Sequence, residues 1–235
     1  MLEPDDFFDL TERKLHELLS PFRNVWEILA GLPRIVAEMV GTEQRIEGSV
    51  SPGATLSDRP IYVGPGAVVE PGAYILGPAY IGANVVIRHG AYVRSNCVFL
   101  DSSLLGHASE AKNALFLPNA KAPHFAYVGD SILGHGVNLG AGTKLSNLPI
   151  EIAPERQNIT IAVGGHKYDT GLTKLGAILG DGVETGCNVV TNPGVLILPR
   201  TIIYPGVVVN KGLYAGKSII KLRQITEHVP IVQPG

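Results

Sequence analysis

The sequence predicts a mainly β protein, a solenoid of short stacked strands behind an α-helical segment. Three observations predict it: aliphatic residues at a period of six, a small residue four positions after each, and a turn-rich composition with 28 glycines and 17 prolines. Val63, Val69, Ile75, Ile81, Ile87, Val93, Phe99 and Leu105 stand six apart without a miss. Ala67, Ala73, Ala79, Val85, Ala91, Cys97, Ser103 and Ser109 follow at the small position. A second tract carries Leu179, Thr185, Thr191, Ile197, Ile203 and Val209, with Val183, Val189, Val195, Thr201 and Val207 at the small position. Leu133 and Leu139 keep the spacing between the tracts, with Val137 and Thr143 four residues on. Six is a multiple of the strand period of two and not of 3.6, so strands fit and helices do not. A strict hexapeptide repeat marks a parallel β-helix. One large residue per six fills the interior of a flat face, a small one fits near the corner, and stacked coils bury a continuous core.

Residues 1–45 read differently. Glycine is scarce there, and Leu15, Leu18, Leu19, Trp26, Ile28 and Leu29 follow helical spacing. Asp5, Asp6 and Asp9 suit helix starts, while Pro21 and Pro33 are expected to open new segments. Two or three short helices result, their apolar faces packed on the solenoid or on a neighbouring subunit. Residues 46–220 form the solenoid, with a loop excursion over 148–174, and 221–235 form a tail.

Charged residues are 17% and hydrophobic ones 45%, which excludes a disordered chain. A net charge of −2 gives no basic field to call for nucleic acid. Cys97 and Cys187 show neither C-x-x-C spacing nor a disulfide framework. The acidic start "MLEPDDFFDLTERK" lacks the order of a signal peptide, and no apolar run approaches the roughly 18 residues of a membrane span. A soluble cytoplasmic protein is expected, without membrane or nucleic-acid partners.

The repeat breaks twice. Residues 111–127, "AKNALFLPNAKAPHFAY", keep the length of a coil and lose the pattern, and residues 148–174 form the long excursion. Insertions in a solenoid map to loops, which commonly build the site, so a local unwinding of the prism is expected at the first break. Between them lies the Gly-rich, polar "VGDSILGHGVNLGAGTKLSN".

The repeat resembles that of the hexapeptide acyltransferases, which implies a left-handed parallel β-helix with three hexapeptides to a triangular turn. The run "KAPHFAYVGDSILGHGVNLGAGTKLSN" resembles the acetyltransferase domain of bifunctional enzymes that acetylate glucosamine 1-phosphate and then uridylylate the product. "KLGAILGDGVETG" is similar to archaeal sugar-phosphate nucleotidylyltransferase/acetyltransferases. The resemblance covers about residues 60–210; no Gly-rich motif of a nucleotidyltransferase domain is found, so uridylyl transfer by this chain alone is not expected.

The resemblance implies an acetyl-coenzyme A-dependent N-acetyltransferase acting on a hexosamine 1-phosphate, on the route to UDP-N-acetylhexosamine. Its sites would lie between the subunits of a homotrimer. His124 falls on the catalytic base; an amine attacking a thioester must lose a proton, and imidazole titrates near neutral pH. Arg88 and Lys112 match phosphate contacts, a planar fork beside a mobile point charge, and Tyr127 matches a hydroxyl donor to the same group. Asn138 and Asn147 match asparagines of the aminosugar pocket. Ala141 matches the residue whose N–H holds the thioester oxygen as charge develops, worth roughly 3–4 kcal/mol in a transition state. A lysine from a neighbouring subunit is implied, with Lys174, Lys167 and Arg156 as candidates. Cys187 and Pro205 stand on the acetyl-coenzyme A face where the family often has serine and alanine, and no metal is required.

Three other readings are weighed. Some β-helices of this kind are zinc carbonic anhydrases, but His16, His89, His107, His124, His135, His166 and His228 include no pair five apart and no carboxylate or Cys cluster joins them. A second is an acyltransferase of the same fold on a nucleotide-linked aminosugar. A third is a non-catalytic trimeric partner of a separate nucleotidyltransferase. Sequence alone does not separate glucosamine from galactosamine 1-phosphate.

Overall fold

The structure, a computed structural model, describes residues 2–150 and 156–223. The residues expected to form the tail lie outside it from 224 onward. Short parallel strands stack into a three-faced prism. Among the described residues, face A holds nine strands from Arg45–Ile46 to Gly212–Tyr214, face B nine from Ser49–Val50 to Ile219–Ile220, and face C eight from Thr55–Leu56 to Val208–Val209. The six-residue period visits the faces in turn: Val63 on A, Val69 on B, Ile75 on C, then Ile81 directly above Val63. All four are buried, together with the small residues Ala67, Ala73 and Ala79 at the corners. Each aliphatic side chain so buried contributes roughly 1.5–3 kcal/mol.

Residues 111–127 do not leave the prism. Glu110–Lys112, Leu115–Phe116 and Lys121–His124 remain in the ladders of faces C, A and B. Phe116 lies over Phe99 and under Leu133, seventeen residues away on either side instead of eighteen. The lost residue comes from the corner between faces C and A, where Ala111 is followed by a core residue at 116 rather than 117. Two coils are shortened in this way, and the core residues Ala111 and Ala122 are small. The shift of phase and the small side chains hide a pattern that the backbone keeps.

Among the described residues, three helices precede the prism: α1 (Pro4–Phe7), α2 (Arg13–Leu19) and α3 (Glu27–Val40). Pro33 does not open a segment; it lies inside α3 on its exposed side. Ile28, Leu29, Leu32, Ile35, Val36 and Val40 bury one face on both sides of it, which outweighs the lost backbone bond. That face packs on the outward side chains of face A, a stripe of Tyr62, Val98, Leu115, Ile132, Ile178 and Leu196. The excursion adds a hairpin, Thr160–Val163 paired antiparallel with His166–Asp169, turned by Gly164 and Gly165 at φ 57° and 81°. Ile159, Ile161 and Leu175 join the same apolar layer, and Tyr168 meets Trp26 at 6.1 Å between ring centroids. Face A is therefore sealed, while the B/C edge is open.

Candidate functional site

The corner between faces B and C repeats one backbone device. Each corner residue is followed by one at positive φ, whose N–H donates to the corner carbonyl one coil earlier. Phe125 N bonds His107 O at 3.0 Å, Gly142 N bonds His124 O at 3.0 Å, Asn188 N bonds Ala141 O at 2.8 Å and Gly206 N bonds Cys187 O at 2.9 Å. His124, Ala141, Cys187 and Pro205 therefore occupy one column on successive coils, about 5 Å apart along the prism. Four positions named from sequence, 81 residues apart at the extremes, meet on a single edge.

Below His124 the column continues with His107 and His89. Their rings stack at 5.4 Å and 7°, and His107 meets Phe125 edge-on at 5.4 Å. His89 Nδ1 lies 2.6 Å from Pro71 O, and His107 Nδ1 lies 2.9 Å from His89 O, so both rings carry the Nδ1 proton. The spacings of 18 and 17 among these three histidines, one coil each, were the signal that would have revealed the column. The exposed His124 ring has no hydrogen-bond partner among the described residues, and the Ala141 N–H has none either.

Face C, beside this edge, carries the polar groups. Tyr127 heads a strand of face C, between Glu110 and Lys144 on the adjoining coils. Its hydroxyl donates to Asn147 Oδ1 at 3.3 Å. Burial above all, then the charges of Glu110 and Asp130, push the phenol up from its ordinary value. Asn147 Nδ2 bonds Asp130, whose carboxylate also holds Lys112 Nζ at 3.3 Å. Lys112, Tyr127 and Asn147 thus form one connected group.

Arg88 does not join them. It precedes His89, on the face B side of the corner, two coils earlier than His124. The arginine on face C is Arg94, one coil below Lys112 in the same column and paired with Glu110 at 3.0 Å. That hydrogen bond raises its guanidinium further, so Arg94 is a permanent cation. Its distance of 18 from Lys112, one full coil, would have found it. Asn138 is exposed on face B, between Lys121 and Glu184 and across the edge from Tyr127. Half-buried Lys174 adjoins Leu175, whose N–H bonds Asn147 O at 3.0 Å. Lys167 lies on the exposed hairpin strand and Arg156 is exposed where the excursion resumes.

Clefts of about 720 and 460 Å³ lie elsewhere. One runs between α1, α2 and the A/B corner at Asp9, His135, Asp181 and Arg200; the other lies beneath the excursion at Ser146, Asn158, Asn192 and Lys211. Neither is lined by His124. Among the described residues, no three His, Cys, Asp or Glu side chains are grouped to hold a metal ion, and no helix is long and apolar enough to cross a membrane.

Units of six residues, three to a coil, build the solenoid, and the family description "Bacterial transferase hexapeptide (six repeats)" matches residues 60–95. Its relatives are more particular. The chain is 38% identical over 172 residues to the bifunctional protein GlmU of Methanococcus maripaludis, covering 72% of this chain and 39% of that protein. It is 37% identical over 127 residues to a bifunctional sugar-1-phosphate nucleotidylyltransferase/acetyltransferase of Sulfurisphaera tokodaii, covering 54% and 31%. The chain thus spans less than two fifths of the length of these curated relatives. Among solved structures, a UDP-N-acetylglucosamine acyltransferase from Campylobacter jejuni matches at 17% identity and a TM-score of 0.35, over 73% of this chain and 68% of that one.

Proposed function

We propose that this chain transfers an acetyl group from acetyl-coenzyme A to the amine of a hexosamine 1-phosphate. The observation that carries the reading is the pair His124 and Ala141 N–H, without a partner among the described residues, on adjacent coils of the B/C edge, with the Arg94, Lys112, Tyr127 and Asn147 group gathered across face C toward its C/A corner. The relative named as a bifunctional sugar-1-phosphate nucleotidylyltransferase/acetyltransferase supports the same class of substrate.

The chemistry follows from those groups. The neutral amine attacks the thioester carbonyl, a C–N bond forms and the C–S bond breaks. His124 takes the proton the nitrogen must lose and passes it on to the departing thiolate, which leaves as the free thiol with the imidazole neutral again. The Ala141 N–H donates to the carbonyl oxygen as it becomes negative, where a fixed donor is most effective. Arg94 and Lys112, already paired with Glu110 and Asp130, would turn their remaining N–H donors to the phosphate, with Arg94 in place of the Arg88 expected from sequence. Backbone along Cys187 and Pro205 offers a track for the coenzyme.

His124 lies on a convex edge, so the site needs a second wall, and the exposed apolar residues indicate what supplies it. Val68, Ile202 and Ile219 on face B, Tyr74 and Val208 on face C, and Phe125 and Tyr204 at the corner lie on the two faces that meet at this edge and are 38–59% exposed. A homotrimer that buries this edge would bring a neighbouring copy against His124 and could deliver Lys174, Lys167 or Arg156. Incubation with acetyl-coenzyme A and a panel of aminosugar phosphates, read by mass spectrometry, should yield an N-acetylated hexosamine 1-phosphate. Acetylation of nucleotide-linked aminosugars alone would replace this substrate, and no acetylated product from any member would remove the reading. Sedimentation should give three chains, and a monomer with full activity would refute the shared site.

A further inference from the structure

We infer that Asp130 is a positioning residue: its carboxylate locks Lys112 and Asn147, and through Asn147 the Tyr127 hydroxyl, into one arrangement. This rests on the reading of face C as the aminosugar phosphate site. Asp130 follows Gly129 at the corner between faces C and A, with φ 44°. The equivalent corner residues one and two coils earlier are Asn113 and Asn96, at φ 47° and 62°. Asparagine therefore satisfies this turn, as the left-handed region allows. What aspartate adds is charge and a second accepting oxygen.

Both are used. Its side chain is 8% exposed, and Oδ2 accepts from Lys112 Nζ at 3.3 Å and from Asn147 Nδ2. Oδ1 accepts from Asn113 Nδ2 at 3.0 Å. Asn113 turns Nδ2 to the carboxylate, and its own buried Oδ1 has no partner among the described residues. A carboxylate donates nothing, so Asn147 must face it with Nδ2 and turn Oδ1 toward Tyr127. The Tyr127 hydrogen is then committed to Asn147, and its oxygen is left as an acceptor. That suits an N–H or O–H of the aminosugar rather than a phosphate oxygen, a different role from the donor expected from sequence. Shielding from water makes each of these bonds stronger than on an open surface.

The test replaces the charge and keeps the shape, in the full chain. Asp130→Asn should fold, lower kcat for the aminosugar phosphate about tenfold or more, and leave KM for acetyl-coenzyme A within twofold. Asp130→Gly, which the positive φ favours, should behave alike and guards against a folding failure of the first variant. Reductive methylation of Lys112, read by mass spectrometry, should run several-fold faster in both variants because the amine is released. Unchanged kcat, or unchanged methylation of Lys112, would overturn the assignment, as would equal losses for both substrates. Should the parent chain acetylate no aminosugar phosphate, the proposed function falls, while the methylation arm still decides whether Asp130 holds Lys112.

Discussion

Gly106 offers a way to move the proposed base without touching it. A Cβ at this position would lie 1.7 Å from Pro123 O, 2.1 Å from its carbonyl carbon and 2.4 Å from its Cα. All three are backbone atoms, so no rotamer relieves the overlap. Ordinary contact begins near 3.4 Å, and the two coils of face B must part by about 1.5 Å or more to accept a methyl group. Pro123 precedes His124, so the displacement passes directly to the imidazole. A misplacement of about 1 Å can cost on the order of 10²-fold in rate, and overpacking costs about 1–3 kcal/mol in stability. Gly106→Ala should therefore melt lower and lose about 100-fold in kcat. Gly136→Ala is the control: nothing lies within 4 Å of its added Cβ, and only its φ of 66° resists the change. That variant should lose about 1–2 kcal/mol and keep its rate. A folded Gly106→Ala chain with kcat within threefold of the parent would refute either the register of these coils or the role of His124.

Other outcomes follow from the same site. His124→Ala should slow turnover by about 10²–10⁴-fold with little change in melting temperature, and full rate at neutral pH would remove the base. Arg94→Ala should raise KM for the phosphosugar about tenfold while Arg88→Ala leaves it near the parent value; the reverse pattern would put the phosphate on face B. Burial pushes the Cys97 thiol up to about 12 from the ordinary 9.0. The folded state thus keeps a proton that the unfolded chain loses, so stability contributed by the neutral thiol is present below pH 9 and falls as pH rises above it. The slope is about 1.4 kcal/mol per pH unit up to the folded value, and Cys97→Ala should flatten it in urea titrations between pH 9 and 11. An identical alkaline slope in the variant would contradict the burial of this thiol.

The solenoid was legible because its energetics repeat. One buried aliphatic residue per face leaves a period of six in the letters, as Val63, Val69 and Ile75 show. The shortened coils were not legible, because one residue lost between Ala111 and Phe116 shifts the phase while the ladder adjusts at the corner. Pro33 misled because a proline rule is local, whereas helix α3 is held by six buried side chains against face A. The hairpin had a signal in "AVGGHKY", two glycines able to take positive φ between extended segments. The B/C column was half legible: His124, Ala141, Cys187 and Pro205 were each named, but their meeting on one edge required counting residues per coil. The same count separates Arg94, 18 residues before Lys112, from Arg88, 24 before it. Asp130 was hidden because its role comes from three partners, Lys112 and Asn113 on the coil before it and Asn147 on the coil after it.

The most direct test is release of free thiol from acetyl-coenzyme A, followed with a disulfide dye, for the parent chain and for His124→Ala side by side. Release that depends on a hexosamine 1-phosphate in the parent and drops by at least 100-fold in the variant is the expected result. Release that ignores the aminosugar, or that the variant sustains at the parent rate, would contradict an imidazole-driven acetyl transfer on this edge.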